Sequence, residues 1–265
     1  MPWEAGALPV GSGEKGTQVV RARWLVAGVL MAGSLGPATA ALAVPVAPAA
    51  AGDEASSSAD ASSLYQQVLS STRSWSVHYA SSSTQSAKSL RESGDAGPAS
   101  GSQIVRMGQG SINIVVIGGL SYVKGNTGGL QTLVGLDASQ AAQAAGKWIE
   151  FSTANAAFSQ VVAGVRSKDI AQELTLKGPL TLSHGSTVDG LAVDAIKGTQ
   201  KFGKSTLHVV LYVRAHGAHV PVEEDSVDTK GRRTATEHIA YSKWGEQVRP
   251  RAPLAAVSIG PVSSV

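Results

Sequence analysis

The second half of the chain is a succession of short segments in which apolar and polar residues alternate, separated by glycine-containing turns. In residues 205–217 every second residue from Leu207 to Val213 is apolar, so these side chains share one face of a strand while His208 lies on the other. Comparable segments lie at 174–185, 186–198, 219–228, 234–245 and 246–254. Parallel strands need long crossover connections, and none of these segments is separated by a helix-length insertion. The pattern therefore predicts an antiparallel meander.

A hairpin is predicted upstream of this meander, over residues 111–126. Its strands meet at Gly118–Gly119, where a tight turn needs positive φ. Ile112, Ile114 and Val116 are expected to share one face of its first strand.

The second strand of the hairpin contains Ser121 and Lys124, the Ser-x-x-Lys spacing of penicillin-binding proteins and serine β-lactamases. In those enzymes the serine begins a helix, where residues three apart lie on the same side. On a strand an offset of three places the two side chains on opposite faces. The companion Ser-Asp-Asn and Lys-Thr-Gly motifs, a Gly-x-Ser-x-Gly elbow and the nucleotide-binding loops are absent from the sequence. We predict no enzyme activity; a hydrolase triad assembled only by folding is the remaining enzymatic alternative.

Several shorter elements are predicted before residue 174. Leu64 and Val68 are spaced as on a short amphipathic helix, and the alternation that follows predicts a strand on which His78 has a structural role. The Ser/Gly-rich residues 81–102 predict short strands at a sheet edge. Two short helices are expected at 130–136 and at 137–146, the second with Asp137 as its N-cap, and a strand is expected at 147–151. A further helix is expected along the apolar stripe of Phe158, Val161, Val162 and Val165. Another helix is expected to begin at Ser167.

The N-terminal residues 1–51 are predicted to be an extension that carries a signal peptide or a membrane anchor. Arg21 and Arg23 precede the apolar residues 24–44, and cleavage is expected between Ala40 and Ala51. An uncleaved anchor is the alternative, since residues 24–44 are long enough to cross about 30 Å of hydrocarbon.

The folded domain is expected to span residues 64–265. Residues 52–63 contain no large apolar side chain and predict a flexible spacer. The elements together predict an α+β fold, a curved antiparallel sheet with several short helices. The helices either fill one face of the sheet as core or leave an apolar cavity, and the pattern does not separate these alternatives.

Composition excludes several classes of ligand. The chain has 22 Lys+Arg against 19 Asp+Glu, and its basic residues are scattered rather than interleaved with aromatics, so nucleic acid is not a predicted partner. Cysteine is absent, which excludes disulfides and thiolate sites. His216 and His219 are predicted to lie in the turn of a hairpin. The acidic residues at 223–228 lack the spacing of a calcium-binding loop. We predict no metal site and no cofactor.

Four segments, residues 118–151, 186–196, 211–223 and 241–253, together resemble the LppX/LprG lipoproteins of actinobacteria, whose wider fold group is LolA-like. The most specific matches are "YVKGN", "KWI" and "YSKWG", and their order carries the resemblance. The resemblance implies a half-open antiparallel β-barrel with helices on its concave face. It also implies a cavity for acyl chains of envelope lipids, with no catalysis.

The expected ligand is an envelope lipid or another acyl-chain molecule, with a membrane transporter as a further partner. The candidate residues of the cavity wall are Ile112, Ile114, Val116, Trp148, Phe158, Val161, Val162, Val209 and Leu211. The alternative is a scaffold or interaction protein of the envelope with a filled core and no lipid ligand. The family's lipobox cysteine is missing here, so the protein is expected to be secreted or held at the outer face of the cytoplasmic membrane by residues 24–44.

Overall fold

The computed structural model describes residues 58–85, 88–153, 161–202, 205–230 and 233–258. Within these ranges twelve strands form one curved, open and mostly antiparallel sheet, which confirms the predicted α+β class. The strands are β1 (Val77–Gln85), β2 (Lys88–Ala96), β3 (Ser100–Met107), β4 (Gly110–Ile117), β5 (Leu120–Gly125), β6 (Trp148–Ser152), β7 (Lys177–Val188), β8 (Leu191–Phe202), β9 (Ser205–Arg214), β10 (Pro221–Lys230), β11 (Arg233–Ser242) and β12 (Ala256–Ser258).

The sheet consists of two meanders joined edge to edge. Strands β1 to β6 follow one another on one side and β7 to β11 on the other, and the two series meet where β1 pairs with β11. The short strand β12 pairs in parallel with β6 at one edge of the sheet, and β7 forms the other edge. Residues 246–254, predicted as a strand, instead lead across to β12 without strand structure.

The prediction of edge strands within residues 81–102 is wrong. Strands β1 and β2 lie in the middle of the sheet, since β1 pairs with β11 on one side and with β2 on the other. Strand pairing uses backbone N–H and C=O groups, so serine-rich strands can occupy the centre of a sheet when both neighbours are present. Their polar side chains are then carried into the interior.

The helices are α1 (Ser58–Ser74), the helical turn α2 (Thr127–Gly129) followed by a π-helical turn (Leu130–Val134), α3 (Ala138–Ala144) and α4 (Ser167–Glu173). The predicted N-cap of α3 is confirmed, because Asp137 and Gln140 form a capping box. Val161 to Val165 form turns rather than a helix, with Gly164 at φ +78°, and Phe158 lies outside the described residues. None of the helices in the described ranges combines the length and apolar composition needed to cross a membrane.

The hairpin prediction is confirmed. Strands β4 and β5 are joined by a two-residue turn in which Gly118 has φ +57°. Ser121 is fully buried on the face covered by the helices, whereas the Lys124 Nζ lies 6.0 Å from the ring centroid of Trp148 on the opposite face. The Ser-x-x-Lys pair therefore diverges, as strand parity predicts.

Helix α1 begins at Ser58, inside the range predicted as a spacer, so the folded part starts before Leu64. Ala61 is fully buried, which ties this first turn to the core. A second tie is the buried hydroxyl of Tyr65, which donates to the carbonyl of Leu174 at 2.7 Å and accepts from the N–H of Leu176 at 2.7 Å. These bonds connect α1 to the segment that links α4 and β7.

Substituting Tyr65→Phe is expected to lower the free energy of unfolding by about 1–3 kcal/mol, because it leaves two buried backbone groups without their partner. Urea unfolding followed by circular dichroism measures the change. The matched control is Ser62→Ala on the same helix, whose exposed hydroxyl donates to the carbonyl of Ser58. A Tyr65→Phe change no larger than that of the control would show that these two bonds contribute little.

Candidate functional site

The face of the sheet that the helices cover, here called the inner face, carries two separate apolar clusters. The first cluster combines α1 and α4 with strands β7 to β9, β11 and the start of β1, and it contains the predicted wall residues Val209 and Leu211. The second cluster combines β2 to β6 with the π-helical turn and α3. It contains Ile112, Ile114, Val116 and Val162, with the partly buried Val161 packed against it.

Seven of the nine predicted wall residues therefore lie on or against the inner face, divided between the two clusters. Trp148 does not join them: it is half-buried on the outer face of β6, because the inward residues of that strand are Ile149 and Phe151. Phe158 lies outside the described residues. The structure thus brings together the β4 residues with Val161 and Val162, and places Val209 and Leu211 in a different group.

The inner face also carries buried polar side chains on the strands that lie between β4 and β9, and we call this set the polar stripe. Its members are at most 8% exposed and are Ser81, Glu92, Gln103, Glu224, Ser226 and Glu237. They belong to five neighbouring strands, β3, β2, β1, β11 and β10. Ser81 pairs with Glu92, and Ser226 pairs with Glu237, so these side chains lie side by side across the strands.

Two members of the polar stripe have acceptors that the protein leaves open. Among the described residues, neither the Oε1 of Gln103 nor the Oγ of Ser226 has a hydrogen-bond partner. A third such atom is the Oγ of Ser121, which is fully buried beside Val116 of the second cluster. Buried polar atoms are nearly always hydrogen-bonded, to protein or to something within the interior. These atoms therefore indicate that polar groups belong against the centre of the inner face.

The close approach of Tyr79 and Gly94 shapes the middle of the stripe. A Cβ on Gly94 would lie 2.8 Å from the Tyr79 hydroxyl oxygen, so the phenol ring lies directly over this glycine. Gly94 is paired in register with Gln103 of the neighbouring strand β3. The absence of a side chain at Gly94 thus makes room for the aromatic ring of Tyr79.

A polar depression lies near the start of β1. It has a volume of about 240 Å³, and its charged lining residues are His78, Asp95, Lys243, Glu246 and Arg249. His78 pairs with Asp95 at 2.8 Å between Nδ1 and Oδ1. The polarity of this lining does not suit an acyl chain.

Comparisons with known proteins give similarity to solved structures only: no family model matches the chain, and no curated protein matches it. LprF from Mycobacterium bovis aligns with 15% identity over 74% of this chain and 97% of that chain, with a TM-score of 0.48. The lipoprotein LppX from Mycobacterium tuberculosis aligns with 17% identity over 72% of this chain and 98% of that chain, with a TM-score of 0.43. A LolA superfamily protein from Nitrosomonas europaea has 12% identity over 72% and 94% of the two chains and a TM-score of 0.27. These identities and TM-scores are too low to assign a ligand, so the function is inferred from the chain's own residues.

Sequence reasoning missed the polar stripe, although a signal for it exists. Glu92 alternates with Leu90 on β2, so strand parity places the two side chains on the same face, which the tertiary structure then buries. The prediction of a sheet edge within residues 81–102 does not anticipate that these side chains are buried. An amphiphile matches this arrangement chemically, since its apolar chains suit the clusters and its polar groups suit the stripe.

Proposed function

We propose that this protein is exported and binds the acyl chains of a lipid between its helices and the inner face of the sheet, without catalysis. The observation that carries the proposal is the polar stripe on the strands between β4 and β9, with the open acceptors of Gln103 and Ser226. In a filled, dry core each such acceptor would cost about 1–3 kcal/mol. A bound amphiphile with hydroxyl or amide donors removes this cost while its chains contact the clusters.

The energetics favour acyl chains over small polar ligands. Each CH₂ group that leaves water for an apolar site contributes about 0.8 kcal/mol, and this gain is partly offset by the lost freedom of the ligand. The apolar residues of β4 and β9 supply such a surface on either side of the stripe. The predicted export segment in residues 1–51 supports an extracytoplasmic location, and the sequence resemblance supports an envelope lipid delivered to or from a membrane transporter.

The alternative is an envelope interaction protein with a filled core, and one observation favours it. Ile114 is 1% exposed and Leu211 is fully buried, so the centres of both clusters are closely packed. In that case neither cluster would open for a chain, and purified protein would contain no lipid.

Full-length protein purified from its own envelope or from an expression host tests the proposal. Native mass spectrometry and solvent extraction are expected to detect bound lipid, and a fluorescent acyl probe is expected to bind and to be displaced by that lipid. No bound lipid together with no probe binding would contradict the proposal and favour the filled core. Labelling by an active-site serine probe would instead support the hydrolase alternative.

The variant Gln103→Leu tests the role of the polar stripe. It removes a buried acceptor without a partner, so the protein is expected to fold at least as stably as the wild type. We expect it to bind a hydroxyl-bearing or amide-bearing lipid about tenfold more weakly, because one hydrogen bond is lost. Gln172→Leu, at an exposed position of α4, is the matched control and should bind like the wild type. Equal lipid affinity in Gln103→Leu and the control would show that the polar stripe does not contribute to lipid binding.

A further inference from the structure

A histidine and two carboxylates converge on the outer face of the sheet. Glu223 and Asp225 lie two residues apart on β10, so their side chains share a face, and His238 on β11 is paired in register with Asp225. The Nδ1 of His238 lies 2.9 Å from the Oδ1 of Asp225 and 3.9 Å from the Oε1 of Glu223. One ligand atom from each of the three residues lies within 4.8 Å of the others.

We propose that Glu223, Asp225 and His238 form a binding site for a divalent transition metal ion, for which zinc is the best fit. Zinc binds imidazole nitrogen and carboxylate oxygen at about 2.0–2.2 Å, which places neighbouring ligands of a tetrahedral site about 3.3 Å apart. The distances of 2.9 and 3.9 Å lie on either side of this value. Three protein ligands leave a fourth position for water.

Imidazole nitrogen distinguishes this site from an ordinary acidic patch. Carboxylates alone suit calcium or magnesium, whereas one nitrogen with two carboxylate oxygens suits zinc, manganese or iron. The ligands are held by adjacent hydrogen-bonded strands, because β10 pairs with β11 on one side and with β9 on the other. Their backbone positions are therefore fixed before a metal ion binds.

The charges around the site favour a cation. The carboxylates of Glu223 and Asp225 share one face of β10 and lie close together, so their negative charges repel each other. A bound divalent ion replaces repulsion between the carboxylates with attraction to both.

The site is independent of the proposed lipid-binding face. Strand β10 presents Glu224 and Ser226 to the inner face and Glu223 and Asp225 to the outer face. Loss of lipid binding and loss of metal binding are therefore separable outcomes.

Two other histidines provide matched controls. His78 pairs with Asp95 at 2.8 Å, and His184 pairs with Asp194 at 2.8 Å. Neither pair belongs to a group of three possible ligands within the described residues. They reproduce the histidine and carboxylate contact without the third ligand.

Zinc titration of the full chain tests the proposal, after removal of metal with EDTA. Competition with a chromogenic chelator is expected to give one Zn²⁺ per chain with a micromolar dissociation constant. His238→Ala and Asp225→Asn are each expected to weaken zinc binding at least tenfold, and His78→Ala to leave it unchanged. In histidine NMR spectra the imidazole signals of His238 should shift on zinc addition before those of the other histidines.

Circular dichroism of each variant verifies that it is folded, which is expected because the His238 side chain is about half exposed. Absence of saturable zinc binding would overturn the proposal. So would wild-type affinity in folded His238→Ala and Asp225→Asn, because the zinc would then be bound elsewhere.

Discussion

Replacing Gly129 with alanine is expected to lower the free energy of unfolding by about 3 kcal/mol or more. A Cβ at this position would lie 2.3 Å from the carbonyl oxygen of Ser111 and 2.7 Å from its backbone nitrogen. Ser111 belongs to β4, which is held in register by β3 and β5, so its backbone cannot move alone. Helix propensity would favour alanine by about 1 kcal/mol, and the backbone overlap outweighs this gain.

Gly119→Ala is the control for this substitution. Gly119 lies in the turn between β4 and β5, and a Cβ there would meet nothing within 4 Å. We expect its effect to stay within about 1 kcal/mol. Urea unfolding with comparison of midpoints and m-values measures both variants. A Gly129→Ala protein as stable as Gly119→Ala would show that α2 can shift away from β4 at little cost.

The second large effect is expected for Leu211→Ala, at about 2–5 kcal/mol of lost stability. Leu211 is fully buried in the first apolar cluster, and its register partners are Ile196 of β8 and Glu224 of β10. Removing its branched side chain deletes apolar contacts and leaves a void between the sheet and the helices. The void also adjoins the polar stripe through Glu224, so relaxation around it is constrained by a buried carboxylate.

The control for Leu211→Ala is Leu191→Ala, at the start of β8, where the side chain is 44% exposed. Its truncation is expected to change stability by less than about 1 kcal/mol. Thermal and urea unfolding measure both variants. A loss below about 1 kcal/mol for Leu211→Ala would mean that the first cluster is loosely packed, which would itself favour an interior able to admit acyl chains.

The candidate site was predictable to the extent that it depends on alternation within single strands. Ile112, Ile114 and Val116 were assigned to one inward face, and so were Val209 and Leu211, because side chains of a strand alternate with a period of two. Trp148, predicted as a further wall residue, lies on the outer face, because the inward residues of β6 are Ile149 and Phe151. The two apolar clusters could not be distinguished, because the pattern of one strand does not say which strands are its neighbours.

Two features of the molecule depend on which strands pair and in which register. The pairing of β1 with β11 joins residues about 160 positions apart and carries the serine-rich strands into the centre of the sheet. The register of β10 with β11 places His238 opposite Asp225. Neither pairing can be recognised from a periodic pattern in the sequence, because backbone hydrogen bonds between strands form whatever the side chains are.

By itself the sequence determined the meander from β7 to β11, the hairpin at Gly118, the capped helix after Asp137 and the divergence of Ser121 from Lys124. Each of these follows from φ preference, capping or parity within a few residues. Only the tertiary structure decided that buried polar side chains form a stripe across the strands between β4 and β9. The physical reason is that burial of a residue such as Glu92 or Ser226 is set by its neighbours in the sheet and by the helices above it, which are distant in the chain.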